Sequence, residues 1–164
     1  MPKPQQVTSE PKVIRVLFLI FLLVLSFVIG FFKLSSHDTF WHLKTGEYIL
    51  SHGIPQTDPF SFTAAGKHWV THEWLAEVLL YLIYKVAGIA GLIAFNGAIS
   101  ALIAFLVYRF GAKKGASAAV SASVAMLAVA AMSYMMYARP HAFTFLFLAL
   151  LCMILFDQSP RGRT

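Results

Sequence analysis

Four long apolar runs constrain this chain more than any other feature of its sequence. They cover residues 13–34, 87–110, 116–137 and 141–156. A helix that crosses the hydrocarbon core of a bilayer needs about 20 predominantly apolar residues, and the first three runs reach that length. The sequence therefore predicts an all-α integral membrane protein with four transmembrane helices and an outer loop that carries two interfacial helices.

The composition supports the same fold class. Of the 164 residues, 59% are hydrophobic and 12% are charged, whereas soluble domains are roughly half apolar and about one quarter charged. The formal net charge is +6, but the basic residues form short clusters beside the apolar runs. Because they do not form a stripe with interleaved aromatic residues, they argue against nucleic acid as a partner. The expected partner is the lipid bilayer.

The basic clusters also predict the orientation of the helices, because lysine and arginine are enriched in cytoplasmic loops. If residues 74–86 lie on the outer surface, all the clusters fall on one side; if this segment crosses the membrane, one cluster is forced outside. The clusters are Lys3, Lys12 and Arg15; Arg109, Lys113 and Lys114; and Arg161 and Arg163. We therefore expect a cytoplasmic N-terminus with a disordered tail over residues 1–12, a second cytoplasmic tail over 157–164, and an outer loop over 35–86.

Two segments of the outer loop are typical of short helices that lie along the membrane, near residues 39–51 and 72–86. The apolar part of the second segment is about 13 residues long, which is too short to span, and it carries Glu77 and Lys85. We expect Thr71 to cap the start of this second helix.

Between these two helices the sequence predicts a small hairpin. Residues 59–63 alternate apolar and polar side chains, and a turn around Gly66 follows them. The preceding Asp58 is expected to cap the turn that opens the hairpin.

Asp38 and His42 are the first candidate site residues, because a spacing of four places them on one helical face. Such a pair could bind a divalent cation, Mg²⁺ or Mn²⁺, or form a carboxylate with an oriented imidazole. Equally, Asp38 could cap the helix and His42 could be a solvated or core histidine. Glu73 and Glu77 lie one turn apart, and could be solvated separately or share a cation or a proton.

Arg139 and His141 are candidates at the outer end of the fourth run. A lone outer arginine can extend to a lipid headgroup. It can also hold the phosphate of a lipid-linked substrate, since a guanidinium matches phosphate in a bidentate fork. His141 is expected at the same depth.

The loop sequence resembles the first outer loop of bacterial polytopic glycosyltransferases of the GT-C superfamily, which include dolichyl-phosphate-mannose mannosyltransferase-like and oligosaccharyltransferase-like proteins. The resemblance is strongest over 38–75, with Asp38-Thr-Phe-Trp41-His42 at its start and Thr71-His72-Glu73-Trp74 near its end, and Arg139-Pro140-His141 resembles the start of a later span. It implies that a sugar is moved from a polyprenyl-phosphate carrier to an acceptor on the non-cytoplasmic face of a bacterial inner membrane.

The resemblance also implies roles for individual residues. An acidic residue just after the first span is the catalytic base or a metal ligand in that group. Asp38 occupies this position, and Glu73, at the start of the second interfacial helix, is the second candidate. We expect Arg139, His141, His42 and Glu73 to bind substrate, and Asp38 with His42 to bind the cation.

Because members of the group are longer, with more spans, we expect this chain to be the N-terminal part of such an enzyme. Further membrane helices would come from a C-terminal part or a partner. The alternative function is a non-catalytic membrane subunit or scaffold of a larger complex, with the outer loop as its docking surface. A transporter fragment would carry ionisable residues within its spans, and these runs contain almost none.

Overall fold

The computed structural model describes residues 11–31, 37–135 and 137–156, and five helices account for most of them. These are α1 (Lys12–Phe31), α2 (His37–His52), α3 (Trp74–Lys113), α4 (Ala118–Ser133) and α5 (His141–Phe156). The predicted all-α fold class is confirmed for this part of the chain.

The helix α3 consists of two parts, because Gly88 interrupts it. The backbone angles of Gly88 are φ 60° and ψ −154°, a combination that is essentially restricted to glycine. Helical geometry covers residues 74–87 before the break and 89–113 after it. The break lies where the sequence predicted a junction between an interfacial helix and a transmembrane helix.

α3 is the central element of the fold, since each of the other four helices packs against it and α1 also packs against α4. Apolar side chains of α1, α3 and α4 form one buried cluster, which contains Leu22, Ala104, Tyr108, Ala125 and Val129. A second cluster joins α3 to α5 and contains Ile99, Ile103 and Ala142.

α1 and α3 approach each other so closely that their backbones touch. A Cβ atom built on Gly30 would lie 2.9 Å from the Cα atom of Gly97 and 2.7 Å from Ser100 Oγ. At the same level, Asn96 Nδ2 donates to the carbonyl oxygen of Gly30 at 3.2 Å. Small residues permit such close packing between helices, and the van der Waals contact that results stabilises helix pairs in lipid.

α1 and the second part of α3 run antiparallel, so the start of α1 lies beside the end of α3. The Tyr108 hydroxyl donates to the carbonyl oxygen of Arg15 at 3.4 Å. The end of α5 lies at the same level, because Lys114 Nζ donates to the carbonyl oxygen of Phe156. We call this end of the bundle the basic end; it carries Lys12, Arg15, Arg109, Lys113 and Lys114.

Two of the described helices, α1 and α3, are long and apolar enough to cross a membrane. α4 and α5 are apolar but have 16 residues each, which corresponds to about 24 Å against a hydrocarbon core of about 30 Å. The sequence predicted four transmembrane helices, and this is corrected: two of the described helices have the length and apolar composition of a span. The third predicted span is the one that shortens: the Ser117 side chain accepts from Val120 N–H at 3.2 Å and caps α4, which ends at Ser133.

The predicted hairpin between α2 and α3 is reduced to a single antiparallel bridge, between Thr57 and His68. The N–H group of Asp58 donates to the carbonyl oxygen of Lys67 at 2.9 Å beside this bridge. The alternating residues 59–63 do not form a strand, because the chain turns immediately after Asp58.

Asp58 holds that turn, as the sequence predicted. Its Oδ1 atom accepts from the N–H groups of Phe60 at 2.8 Å and Ser61 at 3.0 Å. The Ser61 hydroxyl, together with these two N–H groups, lowers the pKa of the Asp58 carboxyl below its ordinary value. The carboxylate therefore keeps its charge, and the turn its hydrogen bonds, to a lower pH than an unperturbed aspartate would allow.

We predict that Gly88→Ala straightens α3, because alanine is strained at these backbone angles by about 1–3 kcal/mol and favours a continuous helix. Spin labels at the exposed positions Leu82 and Leu102, in a Cys152→Ala background, would then move apart towards the roughly 30 Å of a straight helix. Ala90→Ser, at an exposed helical position, is the control and should leave the distance unchanged. An unchanged distance in Gly88→Ala would show that another feature bends the helix.

Candidate functional site

α2 lies directly against the backbone of α3, and Gly46 makes this contact possible. A Cβ atom on residue 46 would lie 2.2 Å from the carbonyl oxygen of Glu77 and 2.8 Å from Tyr81 Cβ, so no side chain fits. Buried leucines, Leu43 of α2 and Leu80 of α3, pack in one cluster at the same interface. A side chain at position 46 would therefore push α2 away from α3.

This contact brings His42, one turn before Gly46, against two carboxylates of α3 and its N-terminal cap. His42 Nδ1 lies 3.0 Å from Glu77 Oε1 and 3.9 Å from Glu73 Oε2. The side chains of His42 and Glu77 are 12% and 4% exposed. One potential ligand atom from each of the three residues lies within 4.8 Å of the others. We call this group the His–Glu cluster; it is the set of described residues that could hold a metal ion.

The structure gives different partners to the two residues that the sequence proposed as a cation site. Asp38 lies in the first turn of α2, where its carboxylate pairs with the guanidinium of Arg139, while His42 turns to Glu77. The Asp38 side chain is 61% exposed. The ligands that could join His42 are thus Glu73 and Glu77 rather than Asp38.

Arg139 is held from two sides just before α5. Besides its ion pair with Asp38, its guanidinium lies over the ring of Tyr137, 5.6 Å from the ring centre. Its side chain is 24% exposed, and its buried Nε has no hydrogen-bond partner among the described residues. Two predicted site residues that are 101 positions apart in sequence thus meet in the fold.

Thr71 does not cap α3, which corrects the sequence prediction. The helix begins at Trp74, and Glu73 occupies the cap position without a side-chain hydrogen bond to the helix. The Glu73 carboxylate faces His42 instead, and its Oε1 lies 3.9 Å from His72 Nε2. The Glu73 carboxylate thus lies beside two imidazoles instead of capping the helix.

An apolar cleft of about 380 Å³ lies between the first part of α3 and the start of α5. Glu73 belongs both to its lining and to the His–Glu cluster, so the cleft reaches the polar site. The other lining residues are His72, Leu75, Ala76, Leu79, Pro140, Phe143, Thr144 and Phe147. His141, predicted to bind substrate, is exposed at the start of α5 beside Pro140 of this lining.

Glu77 was predicted as a neighbour of Glu73 that could be solvated separately or share a cation or a proton with it, but not as a partner of His42. A carboxylate inside an apolar helical segment is itself a signal of a polar contact. Gly46 gave no signal, because glycine in a short helix has several explanations and its neighbour comes from a helix 31 positions away.

Comparisons of the chain with protein-family models, with curated protein sequences and with solved structures gave no match. The resemblance to GT-C glycosyltransferases stays a prediction from the motif residues.

We predict that Gly46→Ala destabilises the fold by about 1–3 kcal/mol, the usual cost of overpacking, because the added methyl group meets backbone atoms that cannot rotate away. Equilibrium unfolding in detergent micelles measures this change. Lys44→Ala, at an exposed position of the same helix, should stay within about 0.5 kcal/mol of the wild-type chain. Equal stability of the two variants would mean that α2 does not contact α3 at Gly46.

Proposed function

We propose that the chain is a multi-pass protein of a bacterial inner membrane. The surface of α1 supports this, since its apolar side chains point outward: Val13 is 68% exposed, Leu17 60% and Phe21 65%. Only 17% of an apolar 18-residue stretch of α1 is buried within the fold, whereas the core helix of a soluble protein is mostly buried. A continuous apolar surface of this kind requires lipid or further helices around it.

We propose four crossings with a cytoplasmic N-terminus. The basic end of the bundle supports this orientation, because lysine and arginine favour the cytoplasmic side, while Asp38 and the His–Glu cluster lie at the opposite ends of α1, α3 and α5. α4 starts at the basic end, where Gly111 contacts Ser121. The short α4 and α5 are accommodated by local thinning of the bilayer, at a modest cost.

We further propose that the chain acts in a membrane glycosyltransferase that moves a sugar from a polyprenyl-phosphate carrier to an acceptor on the non-cytoplasmic face. The observation that carries this proposal is the pairing of Asp38 with Arg139 beside the His–Glu cluster. A carboxylate and a guanidinium at one place supply the two groups that such a transfer needs: a base for the acceptor hydroxyl and a cation for the phosphate.

The pair suggests an order of events. The phosphate of the donor lipid competes with Asp38 for the Arg139 guanidinium, which frees the carboxylate. Asp38 then takes the proton of the acceptor hydroxyl while the acceptor oxygen bonds to the anomeric carbon. The bond from that carbon to the phosphate oxygen breaks, and the electron pair leaves with the phosphate, whose charge Arg139 stabilises.

The apolar cleft between α3 and α5 suits the polyprenyl chain of the donor, because aromatic and aliphatic side chains line it and Glu73 brings it to the polar site. His42, Glu73 and His141 are then placed to contact the sugar or its phosphate. A non-catalytic subunit would use the pair of Asp38 and Arg139 only to fasten α2 to the start of α5.

We predict for the proposed topology that a cysteine at position 67 reacts with an impermeant maleimide added to intact spheroplasts, whereas a cysteine at position 113 reacts only after lysis. Both positions are exposed, and a Cys152→Ala background removes the native thiol. Reaction of position 113 from outside would mean that residues 74–86 cross the membrane, and the proposed four-span arrangement would be wrong.

We predict for the catalytic role that Asp38→Asn lowers sugar transfer by about 10²–10⁴-fold, the usual loss for a general base. The assay uses membranes that contain the chain and a panel of radiolabelled polyprenyl-phosphate hexoses. Asparagine retains the size of the side chain and can still bond to Arg139, so folding should persist.

Glu47→Gln is the matched control, since this carboxylate lies on the same helix and pairs with Lys44 at 2.7 Å; it should transfer sugar normally. Near-normal transfer by Asp38→Asn would make Asp38 structural. If the wild-type chain transfers sugar from none of the donors and always co-purifies with the same partner, the scaffold function is favoured.

A further inference from the structure

The His–Glu cluster places two carboxylates against one imidazole nitrogen. His42 Nδ1 lies 3.0 Å from Glu77 and 3.9 Å from Glu73. The Glu77 carboxylate is within hydrogen-bonding distance of Nδ1, whereas the Glu73 carboxylate is not, and the other oxygen of Glu73 lies 3.9 Å from His72 Nε2. Oxygen atoms of the two carboxylates lie within 4.8 Å of each other, and carboxylates at such a distance repel each other where burial removes water.

The buried oxygen of Glu77 is the second, independent observation. Glu77 Oε2 is buried and has no hydrogen-bond partner among the described residues. Buried polar atoms are nearly always hydrogen-bonded, and an ionised oxygen without a partner costs more than a neutral one. The cluster thus contains a buried carboxylate oxygen that the described residues around it leave without a partner.

We propose that His42, Glu73 and Glu77 bind one divalent transition-metal cation, of the Zn²⁺ or Mn²⁺ class. One imidazole nitrogen and two carboxylate oxygens favour these cations, whereas Mg²⁺ favours oxygen ligands alone. Ligand atoms bound to one Zn²⁺ ion at about 2.0–2.2 Å lie roughly 3–3.5 Å apart, and these three already lie within 4.8 Å of one another. The cation neutralises both carboxylates and gives Glu77 a partner.

Three protein ligands leave at least one coordination position open, which is typical of catalytic rather than structural metal sites. Glu73 also lines the apolar cleft, so a ligand that enters the cleft can reach this open position. The site thus takes an oxygen donor, such as a phosphate, a carboxylate or a hydroxyl group. The cation site does not depend on the glycosyltransferase proposal, because binding is measured without sugar transfer.

The test is the binding of Mn²⁺ to the 164-residue chain in nanodiscs of phosphatidylcholine, a lipid without net charge. The electron paramagnetic resonance signal of free Mn²⁺ gives the bound fraction, Zn²⁺ is added as a competitor, and empty nanodiscs correct for binding to lipid. We expect one site. His42→Gln, Glu73→Gln and Glu77→Gln should each weaken it by at least about 10-fold, since even the loss of a group behind a ligand has that effect.

Two further variants locate the site. Glu47→Gln removes an exposed carboxylate of α2 that pairs with Lys44, and it should bind Mn²⁺ as the wild-type chain does. Asp38→Asn should also retain binding, which separates this site from the pair of Asp38 and His42. Because Glu73 is 33% exposed and precedes the helix, Glu73→Gln should fold normally even if a change at the buried Glu77 does not.

The proposal is overturned if the wild-type chain takes up no more Mn²⁺ or Zn²⁺ than empty nanodiscs. It is equally overturned if Glu73→Gln binds as tightly as the wild-type chain, or if Asp38→Asn alone abolishes binding. A failure of sugar transfer with intact cation binding would contradict the glycosyltransferase proposal and leave the cation site standing.

Discussion

The contact between Gly46 of α2 and the backbone of α3 at Glu77 is the constraint on which the polar site depends. With the two backbones touching, the side chain one turn earlier on α2 must project over the start of α3, and this side chain is His42. The same placement brings the first turn of α2 to the segment before α5, where Asp38 meets Arg139. Because Gly46 has no side chain, groups from three separate parts of the chain can meet here.

A second constraint sets the level of this site. The close packing of Gly30 against Gly97 and the break at Gly88 fix where α1 ends and where the first part of α3 begins. Two clusters of lysine and arginine, around Arg15 and Lys113, lie at the opposite end, so the bundle has a basic end and a site end. In the proposed membrane, the site then lies at the outer interface, where an apolar cleft can take a lipid chain while polar groups remain accessible from water.

The sequence predicted the helices better than the contacts between them. Apolar runs and basic clusters predicted the all-α fold, the bounds of α5 and the junction near Gly88, because these depend on local composition. The pairing of Asp38 with Arg139 could not be predicted from spacing, since helical periodicity relates Asp38 only to residues such as His42 on its own helix. Thr71 was predicted to cap the start of α3, but the helix begins at Trp74 and the carboxylate of Glu73, at the cap position, lies beside His42 instead. The hairpin failed for a similar reason, because the hydrogen bonds of Asp58 turn the chain where alternation favoured a strand.

In the proposed site, packing at Gly46 brings His42, Glu73 and Glu77 together around one cation. X-ray absorption at the zinc edge, on the Zn²⁺-loaded chain in phosphatidylcholine nanodiscs, tests this because the spectrum reports the ligands themselves. We expect nitrogen and oxygen ligands at about 2.0–2.2 Å, with the scattering pattern of a single imidazole that disappears in His42→Gln. A ligand shell without imidazole, or an imidazole pattern that persists in His42→Gln, would contradict it.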